Sequence, residues 1–468
     1  MKITNHILEL LVRISTALRL PPYGGGRGER LLFVLLFSLP SMAQDFNQYF
    51  EDATLRLDYI MAGNDHEQHI YLEDLKRQEK WAGRRSRLAE KFLNGNGQLT
   101  VKDHETQEVI YVWTFSTLFQ EWQLEAEAKT VNKAFETSYN IPFPKKKVDV
   151  TVTLTDSHNK VTSKLTHTVD PKDILIRKVG DNGIPYKYIW KGGDVSDCID
   201  LAILAEGYTQ AERDKFYKDC ERAVEALFAW EPFKSLKDRF NVVAVAAPSM
   251  HSGPSVPLKN QWNITAANTN YSTFYSDRYL TTKDMHKVYD LLSGVPFEHI
   301  MILCNTDIYG GGGIYNQVLV ATSDHPMFKE VFVHEFGHSF AGLGDEYAYG
   351  NSGDVYYPAD TEPWEPNLTT LVDFQSKWAD LMPKNQPIPT PLDDKVPNYS
   401  SIDPNDAKAV AALNAATQVV GVFEGAGYQS KGCYRPAQEC RMKINEVRDF
   451  CPVCARAIRR ITDFYTGK

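Results

Sequence analysis

The sequence predicts a multidomain protein in which an N-terminal all-β sandwich precedes an α/β (α+β) domain. Residues 148–156 (VDVTVTLTD) alternate apolar and polar side chains, as strands with one buried face do. Three apolar runs between residues 198 and 305 are separated by helical patterns, which is typical of a mostly parallel sheet. A chain of 468 residues is long enough for two or three domains.

Residues 1–43 are predicted to be a targeting segment. Positive charge at residues 27–30 precedes an apolar run at 31–40 (LLFVLLFSLP), and small residues at 41–43 suit a cleavage site. Residues 1–26 lie upstream of such a segment's usual start, so we expect translation to begin after Met1. The pattern indicates an exported protein that is secreted, periplasmic or on the cell surface. No run reaches the ~18 apolar residues of a transmembrane segment.

The sandwich is predicted to span residues 45–177. Strand-forming runs at 109–115 and 148–156 and a tight-turn signal at 94–97 (NGNG) support it. Polar, glycine-containing residues 178–194 are predicted to be a linker, followed by the second domain at 195–468. Within that domain, residues 350–415 are rich in Pro, Asp and Asn and predict a loop-rich insertion.

The second domain opens with a predicted buried strand at 198–207. A helix is expected from Thr209, because Glu212 three residues later completes a capping-box pattern. Further apolar strands are predicted at 240–248 and 299–305, with a helical pattern at 281–293 between them. The formal net charge is −9 without a long basic run, which argues against a nucleic-acid partner.

A glycine-rich stretch at 310–313 precedes a predicted edge strand at 314–322. Four glycines are not expected to form a regular element, so we expect a bend there at the rim of a cleft. An extended peptide substrate could pair with the main chain of such an edge strand. The residues predicted to bind substrate in this way are Ile314, Tyr315, Asn316, Gln317 and Val318.

Residues 334–338 (HEFGH) predict a Zn²⁺ site. A helix over residues 327–342 places His334 and His338 one turn apart on the same face, so both imidazoles can reach one ion. Glu335 follows the first histidine directly, which suits a general base acting on a zinc-activated water. Gly342 can adopt positive φ and end the helix. The chain then returns with Asp345 and Glu346, either of which could be the third ligand.

Four cysteines near the C-terminus also need an explanation. In an exported protein, two disulfides among Cys433, Cys440, Cys451 and Cys454 are the favoured interpretation. The pair Cys451 and Cys454, spaced C-x-x-C, leaves a zinc knuckle as the alternative.

HExxH followed by a glycine and an acid resembles the metzincin clan of zinc endopeptidases. Ala341 occupies the clan's usual glycine position and Gly344 its usual third-ligand position, so the pattern here is shifted by one residue. Asp345 keeps the usual spacing of three residues from the turn glycine, which favours it over Glu346 as the ligand. The resemblance also implies a methionine in a turn beneath the metal, and Met442 is the candidate.

The stretches HEFGHSFAGLGDEY, FEGAGYQSKGCYRP and CRMK…FCPVC resemble the bacterial IgA-peptidase family of metallo-endopeptidases. The resemblance implies a metzincin-like catalytic domain, zinc, an extracytoplasmic location and a protein or peptide substrate, including a host or surface glycoprotein. It does not imply that immunoglobulin A is the substrate. Tyr347, Tyr434 and Arg435 are candidate donors to the oxyanion.

Two other functions stay open at this stage. The cleft sequence also suits a zinc amidase that acts on cell walls or another non-protein substrate. A protein that binds host or glycan through its sandwich, with a vestigial metal site, is the second alternative. The intact set of two histidines, a glutamate and an acid argues against this second alternative.

Overall fold

The structure is a computed structural model that describes residues 45–349, 356–396, 406–447 and 449–468. The targeting segment predicted at 1–43 lies outside the described residues. All of the described residues belong to one compact unit. In the described part of the chain, no helix combines the length and apolar character needed to cross a membrane.

The N-terminal part consists of two four-stranded sheets. One has the strand order β5-β1-β2-β8 and the other β4-β3-β6-β7. Two short helices accompany them, α1 (Phe46–Tyr49) and α2 (Leu118–Trp122). The strands are β1 (Phe50–Gly63), β2 (Gln68–Glu79), β3 (Gly97–Asp103), β4 (Val109–Phe115), β5 (Lys133–Pro144), β6 (Val148–Thr155), β7 (Val161–Val169) and β8 (Arg177–Lys178).

Alternating side chains explain how these sheets pack. In β6, Val148, Val150, Val152 and Leu154 are buried, while the intervening polar residues are half-exposed. The buried faces of both sheets contribute to one apolar core, as expected for strands with a period of two. The N-terminal region is therefore built mainly of strands, as predicted, with two short helices in addition.

A six-stranded sheet of order β13-β14-β12-β10-β11-β9 forms the centre of the second part. Strands β10, β11, β12 and β14 are parallel to their neighbours within this group, and β9 and β13 are antiparallel at the edges. The bounds are β9 (Tyr186–Lys191), β10 (Ile199–Glu206), β11 (Phe240–Val245), β12 (His299–Cys304), β13 (Gly311–Ile314) and β14 (Val318–Thr322).

Helices cover this sheet, and a two-stranded hairpin lies between the last two helices in sequence. The helix after β10 begins with the predicted capping box of Thr209 and Glu212. The helices are α3 (Arg213–Leu227), α4 (Phe233–Leu236), α5 (Met285–Leu291), α6 (Phe328–Ala341), α7 (Ala407–Thr417) and α8 (Pro452–Thr466), and the hairpin strands are β15 (Phe423–Ala426) and β16 (Gln429–Arg435). Residues from α3, α6 and α8 pack on one face of the sheet.

The other face of the sheet shares its apolar core with the N-terminal sheets. Ile302 and Val320 belong to the same buried cluster as Leu55 and Phe115 of the N-terminal strands. Hydrogen bonds also connect the N-terminal sheets to the six-stranded sheet. In one of them, the Asn316 side chain donates to the carbonyl of Thr114 at 2.8 Å. The N-terminal sheets therefore support the sheet that carries the site.

Two predicted segments have more regular structure than their composition indicates. The predicted linker at 178–194 contains the edge strand β9. Most of its side chains are exposed, so its sequence has no alternation of buried apolar and exposed polar residues that would predict a strand. The predicted insertion at 350–415 contains helix α7 at its end, capped by Asp406, whose side chain accepts from the backbone of Lys408.

The prediction of an edge strand at 314–322 was wrong in its position. The edge strand is β13, formed by three glycines and Ile314, and β14 lies inside the sheet. Tyr315, Asn316 and Gln317 form the buried turn between them instead of an exposed edge. The glycine run is a strand because it pairs with β14. Side chains would not fit there, since a Cβ would lie 2.4 Å from helix α6 at Gly313 and 2.5 Å from the Tyr279 ring at Gly312.

Candidate metal centre

Helix α6 brings the two predicted histidine ligands together. His334 Nε2 and His338 Nε2 lie 3.0 Å apart. Asp345 joins them, with its Oδ1 atom 3.1 Å from His334 Nε2 and 3.3 Å from His338 Nε2. The exposed fractions of the histidine side chains are 12% and 14% and that of Asp345 is 5%, so solvent reaches the histidines but hardly reaches the carboxylate. Two imidazole nitrogens and a carboxylate oxygen therefore converge on one point.

The turn after α6 places Asp345 at this point. Gly342 adopts the left-handed conformation with φ 61°, as predicted, and its N–H bonds to the carbonyl of His338 at 3.0 Å. A Cβ at Gly344 would lie 2.4 Å from the Leu368 side chain, so the returning chain packs tightly against its neighbour. Helix cap and packing together direct Asp345 to the histidines.

Glu346 is directed away from the histidines. Its Oε1 atom accepts from Asn367 Nδ2 at 2.9 Å and lies 3.0 Å from Cys454 Sγ. Its backbone N–H bonds to the carbonyl of Met442 at 2.8 Å. The structure thus places Asp345, not Glu346, with the two histidines.

Hydrogen bonds orient each of the three converging side chains. His334 Nδ1 lies 2.9 Å from the carbonyl oxygen of Arg441, and His338 Nδ1 lies 2.5 Å from that of Leu343. A carbonyl can only accept, so each Nδ1 carries a proton, and in the neutral form of each ring Nε2 therefore presents its lone pair. The remaining oxygen of Asp345, Oδ2, accepts from the Tyr428 hydroxyl.

Opposite charges interact strongly within this group. Burial raises the pKa of Asp345, but His338 and His334 outweigh it and hold that pKa well below its usual range. Burial raises the pKa of Glu335 above its usual range, against the opposing influence of the two histidines. Glu335 thus lies in the surroundings that a carboxylate general base requires.

The glycine strand β13 runs directly beside Glu335. A Cβ at Gly313 would lie 2.4 Å from the Glu335 carbonyl oxygen and 2.9 Å from His338 Cβ. A Cβ at Gly311 would lie 3.3 Å from Glu335 Cγ. Only glycine permits this approach, so the glycine run brings an edge of the sheet to the candidate base.

Met442 packs against α6 from the other side. It is fully buried, and a Cβ at Gly337 would lie 2.7 Å from its Sδ atom. Gly337 belongs to the helical turn between His334 and His338. The side chain therefore lies against the turn that carries the two histidines, and its role as the methionine beneath a metal stays a prediction.

The N-terminal sheets and the loop before α5 contribute side chains near the site. The Tyr279 hydroxyl bonds to the Glu121 carboxylate of α2. Gly312 approaches the Tyr279 ring so closely that a Cβ would lie 2.5 Å from it. Arg278, the residue before Tyr279, donates a hydrogen bond to the Tyr349 hydroxyl. Sequence patterns gave no indication of Glu121 or Tyr279, because their proximity depends on packing between distant segments.

The candidate oxyanion donors lie in different surroundings. The Tyr347 ring packs 5.3 Å from that of Tyr428, next to the site. Arg435 donates to the carbonyls of Glu424 and Gly425 within the β15-β16 hairpin. Arg435 thus has a structural role in the hairpin.

The disulfide prediction does not hold in the structure. All seven cysteines are free thiols and all are buried. Cys440, Cys451 and Cys454 cluster with Glu346, whereas Cys433 packs separately against Leu368 and Ala426. The hairpin holds Cys433 apart from the other three cysteines.

Comparisons with known proteins identify two matching regions. Residues 188–462 match the family described as IgA Peptidase M64, and residues 45–166 match the one described as Peptidase M64 N-terminus. The first match alone covers more than half of the chain. Among curated proteins, no match is found.

Proposed function

The chain belongs to the IgA peptidase M64 family, and from this premise we propose that it is a zinc-dependent endopeptidase with Glu335 as its general base. Membership confirms the family resemblance and makes the protein a peptidase, with a protein or peptide as its substrate. Peptidases of this family are metallopeptidases. The proposal adds the identity of the metal, the role of each residue and the metzincin-like character of the domain.

The observation that carries the proposal is the convergence of His334, His338 and Asp345. Their ligand atoms all lie within 4.8 Å of one another. Both Nδ1 atoms are already bonded to carbonyl oxygens, so both Nε2 lone pairs are available to a cation. Two nitrogens and one carboxylate oxygen form the donor set of a catalytic zinc with a position left for water or substrate. The residues present therefore fit Zn²⁺.

The chemistry follows from this arrangement. Zinc supplies a Lewis acid and lowers the pKa of water towards neutrality. Glu335 accepts the proton of the attacking water as the new C–O bond forms at the scissile carbonyl. It then delivers that proton to the nitrogen as the C–N bond breaks. The carbonyls of Arg441 and Leu343 keep the imidazoles in one orientation throughout, and the Tyr428 hydroxyl does the same for Asp345.

The half-exposed glycines of β13 are the proposed docking edge for the substrate. Residues 311–313 lie at the edge of the six-stranded sheet and beside Glu335. The Gly311 N–H already bonds to the carbonyl of Arg278, so the pairing is proposed for the main chain of Gly312 and Gly313. An extended peptide that pairs with this main chain gains affinity with little dependence on its sequence. Its scissile bond would lie close to the general base. The predicted substrate edge thus moves from residues 314–318 to the glycines that precede them.

Export is part of the proposal and depends on the sequence alone, since residues 27–43 have the three parts of a targeting segment. The test of the function is a cleavage assay with a mixed peptide library. We expect cleavage that a chelator abolishes and that added Zn²⁺ restores. Cleavage of cell-wall fragments without cleavage of any peptide would instead identify the amidase.

A further inference from the structure

A second group of side chains in this chain has the chemistry of a metal site. Glu346, Cys440, Cys451 and Cys454 are all buried, and one ligand atom from each lies within 4.8 Å of the others. The Sγ atoms of Cys440 and Cys454 are 3.9 Å apart. Two thiolates on one tetrahedral zinc are separated by about 3.8 Å, given Zn–S bonds of about 2.3 Å. The spacing therefore suits a zinc ion among the four side chains.

The carboxylate in this group lacks a full set of partners. Glu346 is completely buried, and its Oε2 atom has no hydrogen-bond partner among the described residues. A buried carboxylate oxygen without a partner is costly, because nothing replaces its lost hydration. A cation bound by the three thiolates would compensate this cost.

Backbone and charged groups also suit bound thiolates. The N–H of Cys451 donates to Cys440 Sγ at 3.3 Å, and that of Cys454 donates to Cys451 Sγ at 3.5 Å. Three thiolates and a carboxylate around a divalent ion leave a net negative charge. Arg435, which is 5% exposed, is close enough to interact electrostatically with Glu346 and Cys440.

We infer that Glu346, Cys440, Cys451 and Cys454 bind a second Zn²⁺ with a structural role. A disulfide between Cys440 and Cys454 would leave the Cys451 thiol and the Glu346 carboxylate buried without a function. Four protein ligands close the coordination sphere, as in structural zinc sites. The spacing C-x₂-C at 451–454 is common in such sites.

This site would hold together the backbone that orients the candidate catalytic ligands. Cys440 precedes Arg441, whose carbonyl oxygen bonds to His334 Nδ1. The Glu346 backbone bonds to the carbonyl of Met442, and Asp345 is its immediate neighbour. A metal that bridges Cys440 and Glu346 would therefore fix His334 and Asp345 relative to each other.

Metal content of the full chain tests the inference. We expect about two zinc ions per chain in the wild type, about one in the double variant His334→Ala/His338→Ala, and about one in Cys451→Ala/Cys454→Ala. Cys433→Ala is the matched control, a buried cysteine outside the group, and it should keep both ions. If each double variant loses one zinc ion and keeps the other, while Cys433→Ala keeps both, the cysteine site and the catalytic site are distinct.

A measurement on the wild type and the histidine variant keeps the inference testable if the cysteine variant does not fold. After Co²⁺ replaces Zn²⁺, thiolate-to-cobalt charge-transfer absorption should appear and persist in His334→Ala/His338→Ala. The inference is overturned if this absorption is absent, or if peptide mapping of the unreduced chain finds Cys440 and Cys454 joined in a disulfide.

Discussion

The Tyr428 hydroxyl donates a hydrogen bond to the Oδ2 atom of Asp345, whose other oxygen faces the two histidines. Tyr428 lies between β15 and β16 with φ 66°, so the hairpin turn holds its backbone in a conformation that favours this contact. The hairpin thereby orients the third proposed ligand from a segment about 80 residues away.

Replacing Tyr428 with Phe tests this relationship. Removing the hydroxyl should lower zinc affinity at the catalytic site and kcat/KM by about 10- to 100-fold, because the carboxylate loses its orienting donor. Zinc competition with a chelator and peptide cleavage would be measured together. Tyr71→Phe, at an exposed tyrosine of β2, is the control and should behave as wild type. Equal activity of both variants would contradict an orienting role for Tyr428.

Glu335→Gln should retain zinc and fold but lose peptidase activity by about 10²- to 10⁴-fold, because the amide cannot accept the proton of the attacking water. Glu330→Gln, in the first turn of the same helix, is the control and should cleave at the wild-type rate. Metal analysis, circular dichroism and peptide cleavage give the three readouts. Full activity in Glu335→Gln would exclude the proposed mechanism.

Asp345→Asn and Glu346→Gln should have different consequences although the residues are adjacent. Asp345→Asn removes the charge that faces both histidines, so kcat should fall by at least ~10²-fold and catalytic zinc should bind more weakly. Glu346→Gln should retain measurable cleavage but unfold at a lower temperature. Cleavage assays and thermal melts distinguish the two variants. The reverse pattern would make Glu346, not Asp345, the third ligand of the catalytic zinc.

Gly313→Ala should disturb the contact between β13 and helix α6. The added methyl group would lie 2.4 Å from the Glu335 carbonyl oxygen, so strand or helix must shift. We expect a loss of about 1–3 kcal/mol in the free energy of unfolding, together with lower kcat/KM. Gly180→Ala is the control, because a Cβ there meets nothing within 4 Å. Unchanged stability and cleavage in Gly313→Ala would refute the proposed close approach.

Much of the candidate site could be predicted because its geometry is local. His338 follows His334 by four positions, and one helical turn is enough to place them on the same face. Gly342 ends the helix through its own positive φ, which glycine adopts readily. The parallel strands were predictable for a similar reason, since buried strands have continuous apolar runs.

Other features could not be predicted because distant contacts determine them. A run of glycines has low strand propensity, yet residues 311–313 form an edge strand by pairing with β14, and α6 and the Tyr279 ring leave no room for side chains there. Cys433 and Cys440 are only seven residues apart in sequence, and only the hairpin shows that they lie in different surroundings. Composition contains no information about either arrangement.

The sequence by itself determined the fold class of both parts, the two histidines, the candidate base and the helix end. Only the tertiary structure decided between Asp345 and Glu346, which are adjacent and chemically alike. Glu346 is held by Asn367 and the Met442 carbonyl, and Asp345 by Tyr428. Local propensity cannot distinguish two neighbouring carboxylates, because their directions depend on hydrogen bonds to segments that meet only after the chain has folded.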